Sequence, residues 1–309
     1  MARLSQSLGI GLSEAFRDVS RIDIKHSGAR HLPRPTVRAF VQESTRLATE
    51  TAQATGSSTI FNGGGGDNVF CSLQSAGPAA DRLLTAGPGR AFLRTARDIS
   101  QLAPASLWAV VSDAVKRGWF GKPAVRQVHD LTFLSPRALA AAEVEVIHPW
   151  LVLPSDALPG KAMHVRLIAF AQSFVEGFDP QDALPTVSPL LAQPLVEACL
   201  AIPSWLWFEG GRNRVVARRA FAGDLPADII QRRSKGTPYS FVAQIFETHR
   251  AAIRRMLVDG ELAKHDMLDL AAVLDVFDDP RPVHGDAFRR VLQFADVEAW
   301  ARTWTTSSS

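Results

Sequence analysis

The chain has 309 residues, room for one large domain or two small ones. Hydrophobic residues make up 46% and charged residues 21%, which excludes a chain disordered throughout and leaves enough apolar material for a sizeable core. The net charge of +3 is too small to argue for a nucleic-acid partner, and two cysteines, Cys71 and Cys199, cannot build a disulfide framework, so a reducing compartment is expected.

Most of the basic residues are arginines, which codon usage in a GC-rich genome would explain without any partner. The N-terminal stretch MARLSQSLGIGLSEAFRD lacks the apolar h-region of a signal peptide. The longest apolar run, LIAFAQSFV at 167–175, is about half a membrane span. A cytoplasmic protein with no membrane span is expected.

Leu4, Leu8 and Ile10 make a short helical stripe that stops at Gly9 and Gly11. RIDIK at 21–25 alternates polar and apolar residues and predicts a strand. Pro33 and Pro35 mark a loop, and 37–55 predicts a helix with Phe40, Val41, Leu47 and Ala48 near one face. SSTIF at 57–61 is a β-prone run that leads directly into Asn62-Gly63-Gly64-Gly65-Gly66-Asp67-Asn68. Strand, helix, strand and glycine loop are the grammar of an α/β nucleotide-type domain. Beyond residue 75 the pattern becomes helices split by Pro and Gly. They are predicted at 77–86, 90–101, 104–117, 135–143, 161–176, 194–202, 212–222, 239–258, 267–277 and 286–303. The best is 239–258, where Val242, Ile245, Phe246, Ile253, Met256 and Leu257 follow the 3.6-residue period. Segment 121–160, rich in Pro and poor in periodicity, reads mainly as surface loops.

The four glycines are costly to order, and a flexible linker is the simplest reading. Their flanks are apolar, however: Thr59-Ile60-Phe61 before them and Val69-Phe70 after. A glycine turn pinned at a strand end lets backbone N–H groups approach an anion, and Asp67 adds a carboxylate suited to Mg²⁺ beside phosphates. Neither the Walker pattern nor a proper GxGxxG unit is present. A second constellation lies at 188–241. Pro194 suits a helix start, and Leu195, Val196, Cys199 and Leu200 form its packing face. Arg232, Arg233 and Lys235 then cluster before Gly236-Thr237-Pro238. A lysine on such a tight turn could place a charge on a phosphoryl or acyl-oxyanion centre, although a solvated basic turn is the plainer reading.

Together the two segments resemble the synthetase domain of the asparagine synthetase family. That family carries SG(D/E)GxDExFxGY after a central strand, and here Asn62-Gly-Gly-Gly-Gly-Asp67-Asn68-Val69-Phe70 stands in its place. Its downstream P(F/L)LD and LR..F...LP..I..R.K.G stretches match Pro189-Leu190-Leu191 through Gln193, then Arg218, Phe221, Leu225-Pro226, Ile229, Arg232 or Arg233, and Lys235-Gly236. The resemblance implies a partial adenine-nucleotide alpha-hydrolase-like (ATP pyrophosphatase) parallel sheet in residues 1–75, followed by a mostly helical remainder in 76–309. It also implies an ATP-dependent, AMP-forming amide ligase that activates a carboxylate as an acyl-adenylate for attack by an amine. Asp67 would then hold Mg²⁺ near pyrophosphate, Gly63, Gly64, Gly65 and Gly66 would form the nucleotide loop, and Lys235 would steady charge at the acyl carbon.

Departures narrow the resemblance. Gly64, Asn68 and Gln193 stand where the family has acidic residues, which counts against free aspartate as substrate. GGGGDNVF, SPLL.QPLVEACL and RRSKGTP look more like the branch that closes macrolactam rings in lasso peptides, where a peptide Asp or Glu is the acceptor. His148-Pro149-Trp150 and the segment from Gly160 to His164 would then lie near a peptide site, although a lone histidine such as His164 is more often structural. The family's SGGxDS loop has no match, so the chain reads as a C-terminal piece whose missing half could be carried by a separate chain. The isolated chain should then have little ligase activity. Two other readings stay open: an asparagine-forming synthase fragment, and a non-catalytic module that binds a peptide or a sister subunit. Trp205, Trp207 and Phe208 form the densest aromatic cluster and read first as core.

Overall fold

The computed structural model describes residues 2–103, 105–121, 130–141, 149, 152–175, 183–232 and 236–306. In chain order the helices are α1 (Ala2–Leu8), α2 (Gln42–Ala54), α3 (Gly66–Val69), α4 (Gly77–Ala86), α5 (Arg90–Leu102), α6 (Leu107–Val115), α7 (Pro136–Ala141), α8 (Pro159–Gln172), α9 (Gln193–Ala201) and α10 (Val215–Ala220). They continue with α11 (Ala227–Ile230), α12 (Tyr239–Val258), α13 (Glu261–Lys264), α14 (Leu270–Asp278) and α15 (Ala287–Thr306). Strands β1 (Ile60–Phe61) and β2 (Thr186–Val187) pair in parallel, with Ile60 opposite Thr186 and Phe61 opposite Val187. The described residues are thus mostly helical, with one short and largely exposed parallel pair. Among the described residues no helix is long and apolar enough to cross a membrane.

Two buried clusters hold these elements. The first contains Val69, Cys71, Leu73, Leu83, Phe92, Ile99, Val110, Ile168, Trp207 and Phe208. Its helices follow from their sequences. In α5, Phe92, Thr95, Ala96 and Ile99 share the buried face while Arg90, Arg94 and Arg97 stay exposed. α4 packs on α5, α6 and α8. Asp81, fully buried in α4, ties three elements together. It accepts from the Gly160 N–H at 2.6 Å, the Lys161 N–H at 2.9 Å and the Ser204 hydroxyl at 2.5 Å. Its carboxylate therefore satisfies orphan donors at the start of α8. Lys161 in turn caps the end of α9 by donating to the carbonyls of Leu200 and, at 2.8 Å, Ile202. Burial raises the Asp81 carboxyl and lowers the Lys161 ammonium from their ordinary values.

The second cluster is built on α12, where Phe241, Val242, Ile245, Phe246, Ile253, Met256 and Leu257 are buried along one face. It packs on α13, α14 and α15. Glu298 of α15, also fully buried, accepts from the Glu261 and Leu262 N–H groups at 2.8 and 2.9 Å and pairs with Arg302.

The expected strand at 21–25 does not form. Val19–Arg21 is a 3-10 turn, and the residues after it run without a ladder partner. The alternation itself is physically meaningful: Ile22 and Ile24 are buried in the second cluster, and Arg21, Asp23 and Lys25 face out. Residues 1–75 thus feed both clusters, since Val69, Cys71 and Leu73 belong to the first. β2 was not anticipated, because a two-residue strand between Pro185 and Pro189 leaves no periodic signature. Within the Pro-rich stretch, Leu134 forms an antiparallel bridge to Leu268, and the buried Ser135 hydroxyl donates to the Asp266 carbonyl at 2.5 Å.

Candidate functional site

The glycine loop leaves the end of β1, as the sequence predicts, and is held by its neighbour across the sheet. The Asn62 N–H donates to the Val187 carbonyl at 3.0 Å. The Asn62 side-chain oxygen accepts from the Gly64 N–H and from the Ser188 hydroxyl, both at 2.8 Å. Gly65 sits at φ +79°, in the left-handed region, and caps α3. A Cβ there would lie 2.4 Å from Leu191 Cγ. The loop is therefore an ordered turn packed beneath Leu190 and Leu191, which removes the linker reading. Its anchors, Asn62 and Ser188, lie 126 residues apart and carried no signal in the sequence as a pair.

Asp67, in the first turn of α3, pairs with the Arg214 guanidinium. Arg214 has φ +56°, rare for a residue with a side chain. That backbone turn starts α10 at Val215, later than the expected 212–222, and follows Gly210 and Gly211, both also in the left-handed region. The Arg214 Nε is buried with no hydrogen-bond partner among the described residues. Strain and an unsatisfied donor on one charged side chain mark it as a functional candidate. Composition alone did not single it out from the other arginines.

Two cavities meet at this pair. One, of about 390 Å³, is lined by Gly63, Gly65, Gly66, Asp67, Phe70 and Arg214 among others. The other, of about 380 Å³, shares Asp67, Phe70 and Arg214 and extends along Ala217, Phe221, Leu225, Ile229 and Ile230, with Arg218 and Arg232 at its wall. Arg218 braces that wall: its guanidinium donates to the carbonyls of Asn213 and Arg232 at 3.0 Å each and to that of Ile230. Burial, together with the charges of Arg214 and Arg212, pushes the Arg218 guanidinium below its ordinary value.

Among the described residues, Asp67 is the single carboxylate lining either cavity, and it is engaged by Arg214. No cluster of three His, Cys, Asp or Glu capable of holding a metal occurs among the described residues. These described donors by themselves do not make up a resident metal site.

Lys235 and Arg233 lie outside the described residues, as do His148 and Trp150. Arg232 and Gly236, on either side of the 233–235 segment, both line the second cavity. His164 lines neither cavity. It is fully buried, its Nε2 lies 2.9 Å from the Val69 carbonyl, and its ring meets Trp207 edge-on at 6.1 Å. Burial pulls its pKa down to about 4, so it is a neutral core histidine. Trp207 and Phe208 are buried in the first cluster, and Trp205 lies beneath the Arg82 guanidinium at 5.1 Å.

The geometry is that of a site which pairs an anion-compatible turn with a basic, partly apolar pocket. Residues 180–302 match the family model for asparagine synthase. This match supports the asparagine synthetase family, a family of ATP-dependent amide ligases. The matched span includes β2, Leu190, Leu191, Arg214 and the whole wall of the second cavity from Ala217 to Gly236; the glycine loop lies before it. No curated protein and no solved structure matches the chain.

Proposed function

We propose that the chain carries the acyl-activating site of an AMP-forming amide ligase. The observation that supports this most strongly is the Asp67–Arg214 contact, which brings together two segments 147 residues apart at the wall between two cavities. In this reading the glycine-loop cavity receives the polyphosphate of ATP on its backbone N–H groups, the second cavity receives the carboxylate, and Arg214 stands at the junction of the two. A carboxylate oxygen attacks the α-phosphorus and pyrophosphate leaves. An amine then attacks the acyl carbon, giving the amide, AMP and a proton. Preorganised cations beside the site stabilise the charge that develops on both leaving groups. Any Mg²⁺ arrives with the phosphates, which supply most of its ligands. Lys235, between two residues of the cavity wall, is assigned to the charge at the acyl carbon.

The acceptor we favour is a peptide carboxylate closed into a macrolactam by the peptide's own amine. Gly64, Asn68 and Gln193 remove acidic groups that an enzyme acting on free aspartate would keep. Residues 1–309 contain no SGGxDS loop, and we propose that this half of the pyrophosphate contact comes from outside them, from a separate chain or from further sequence of the same protein. ATP–pyrophosphate exchange tests the reading. Exchange is expected when a protein carrying that loop and a peptide carboxylate are added, and not from the chain alone. Exchange by the chain alone would remove the second polypeptide. Exchange under neither condition, with both proteins folded, would favour a non-catalytic module.

A further inference from the structure

The second cavity has a chemistry of its own. Along one side run five apolar residues, Ala217, Phe221, Leu225, Ile229 and Ile230. Phe221 remains 43% exposed and so is open to a ligand in the cavity. Among the described residues, the charged ones lining this cavity are Arg214, Arg218, Arg232 and Asp67, with Arg214 and Asp67 paired to each other. Arg218 is occupied with three backbone carbonyls, so its task is to hold the wall. Arg214 stands at the junction with the glycine-loop cavity. The volume, about 380 Å³, falls at the small end of the roughly 300–1,000 Å³ usual for small-ligand sites.

A free polar amino acid would leave these apolar walls wet, and a purely apolar ligand would leave the buried Arg214 Nε still without an acceptor. We infer that this cavity binds a carboxylate joined to an apolar group, with the carboxylate at Arg214 and the apolar group along Phe221, Leu225 and Ile229. This deepens the amide-ligase reading by naming the substrate class, and it rests on that reading only for what happens to the carboxylate afterwards. The same chemistry can come from two sources: an aspartyl peptide with a large apolar residue beside the aspartate, or a free aliphatic acid.

Binding is measured by titration calorimetry on the full chain, without nucleotide or metal. The probes are octanoate, octanol, free aspartate, and the blocked peptides Gly-Asp-Leu-Phe-Gly and Gly-Asp-Ala-Ala-Gly. Burial of one large apolar side chain predicts that the Leu-Phe peptide or octanoate binds about tenfold to a hundredfold tighter than the Ala-Ala peptide or aspartate. Octanol should bind at least about tenfold more weakly than octanoate, because it carries no charge for Arg214. Preference for the peptide identifies a peptide source, and preference for octanoate a free acid. Ile229→Gln should abolish the apolar preference while leaving the urea midpoint within error, and Phe221→Ala provides a second variant if the first does not fold. Equal affinity for aspartate and the Leu-Phe peptide, or no binding of any apolar carboxylate by the folded chain, overturns the inference. Carboxylate binding without exchange, even when a folded protein carrying the SGGxDS loop is added, would retain this inference and remove the ligase reading. Exchange driven by aspartate alone would do the reverse.

Discussion

Gly65 offers the sharpest test of the site's architecture. Replacing it with alanine acts in two ways. At φ +79° a Cβ meets its own backbone, at a cost of about 1–2 kcal/mol. The same Cβ would stand 2.4 Å from Leu191 Cγ and Cδ2, and relieving such overpacking costs about 1–3 kcal/mol more. The expected loss is about 2–5 kcal/mol, a large share of the roughly 5–15 kcal/mol that holds a typical domain. Gly63 provides the control, for it lies two residues away in the same loop, has no left-handed φ, and would present its Cβ to open space. Gly63→Ala should stay within about 0.5 kcal/mol of the parent. Urea unfolding followed by tryptophan fluorescence measures both. Combining Gly65→Ala with Leu191→Ala should restore the steric part, so the double-mutant cycle should show a coupling of about 1–3 kcal/mol. Equal effects at positions 63 and 65 would refute the claim that Leu191 holds this loop.

Three further outcomes follow from single groups. Asp67→Asn should tighten pyrophosphate binding in EDTA at least several-fold, since removing a unit charge about 5 Å from an anion is worth about 1 kcal/mol at the dielectric of bulk water and about 3 kcal/mol at that of a protein surface; weaker binding would mean that Asp67 itself makes the site. His164, with its pKa near 4, stays neutral in the native state while the unfolded chain takes up a proton near pH 6.5. Its contribution is complete above pH 6.5 and drains away as the pH falls toward 4, about 3 kcal/mol in all; an imidazole NMR titration near 6.5 would contradict this. Asp296 has the opposite sign. Burial raises its carboxyl to about 7 while it accepts from the Ala39 N–H at 2.8 Å, so stability held in acid is lost as the pH rises through 7. The loss runs from about pH 4 to pH 7, so Asp296→Asn should match the parent near pH 3.5 and exceed it at pH 8 in thermal unfolding, and an equal difference at both pH values would be inconsistent with the shift.

Local pattern carried much of the fold. The helices at 77–86 and 239–258 agree with their expected limits, because their apolar spacing and their Gly and Pro boundaries act within one element. The strand expected at 21–25 shows the limit of that signal. Alternation of Ile22 and Ile24 reports which side faces the core, and it cannot report whether a neighbouring strand exists to pair with. In the site, the glycine loop and Asp67 were legible because four glycines between apolar flanks are locally unusual. Arg214 was not, since its importance comes from a left-handed backbone and a partner 147 residues away. Ser188 escaped for the same reason: a serine acquires its role there only once β1 and β2 have met.

The pairing of β1 with β2 also sets a schedule. Asn62 is secured by Ser188, which lies 126 residues further along the chain. At about 5–20 residues per second, a ribosome needs roughly 6–25 s to make that interval. Until then Gly64 and Gly65 have nothing to pack beneath, and the glycine turn exists only as an unrestrained stretch of nascent polypeptide. Closing so long a loop is an entropic cost met late, after the helices between the two strands have had time to form by local contacts. The cavity that this turn lines would therefore be among the last features the chain acquires during synthesis, and a synonymous change that slows translation between β1 and β2 would prolong the turn's exposure to proteases without altering a single residue.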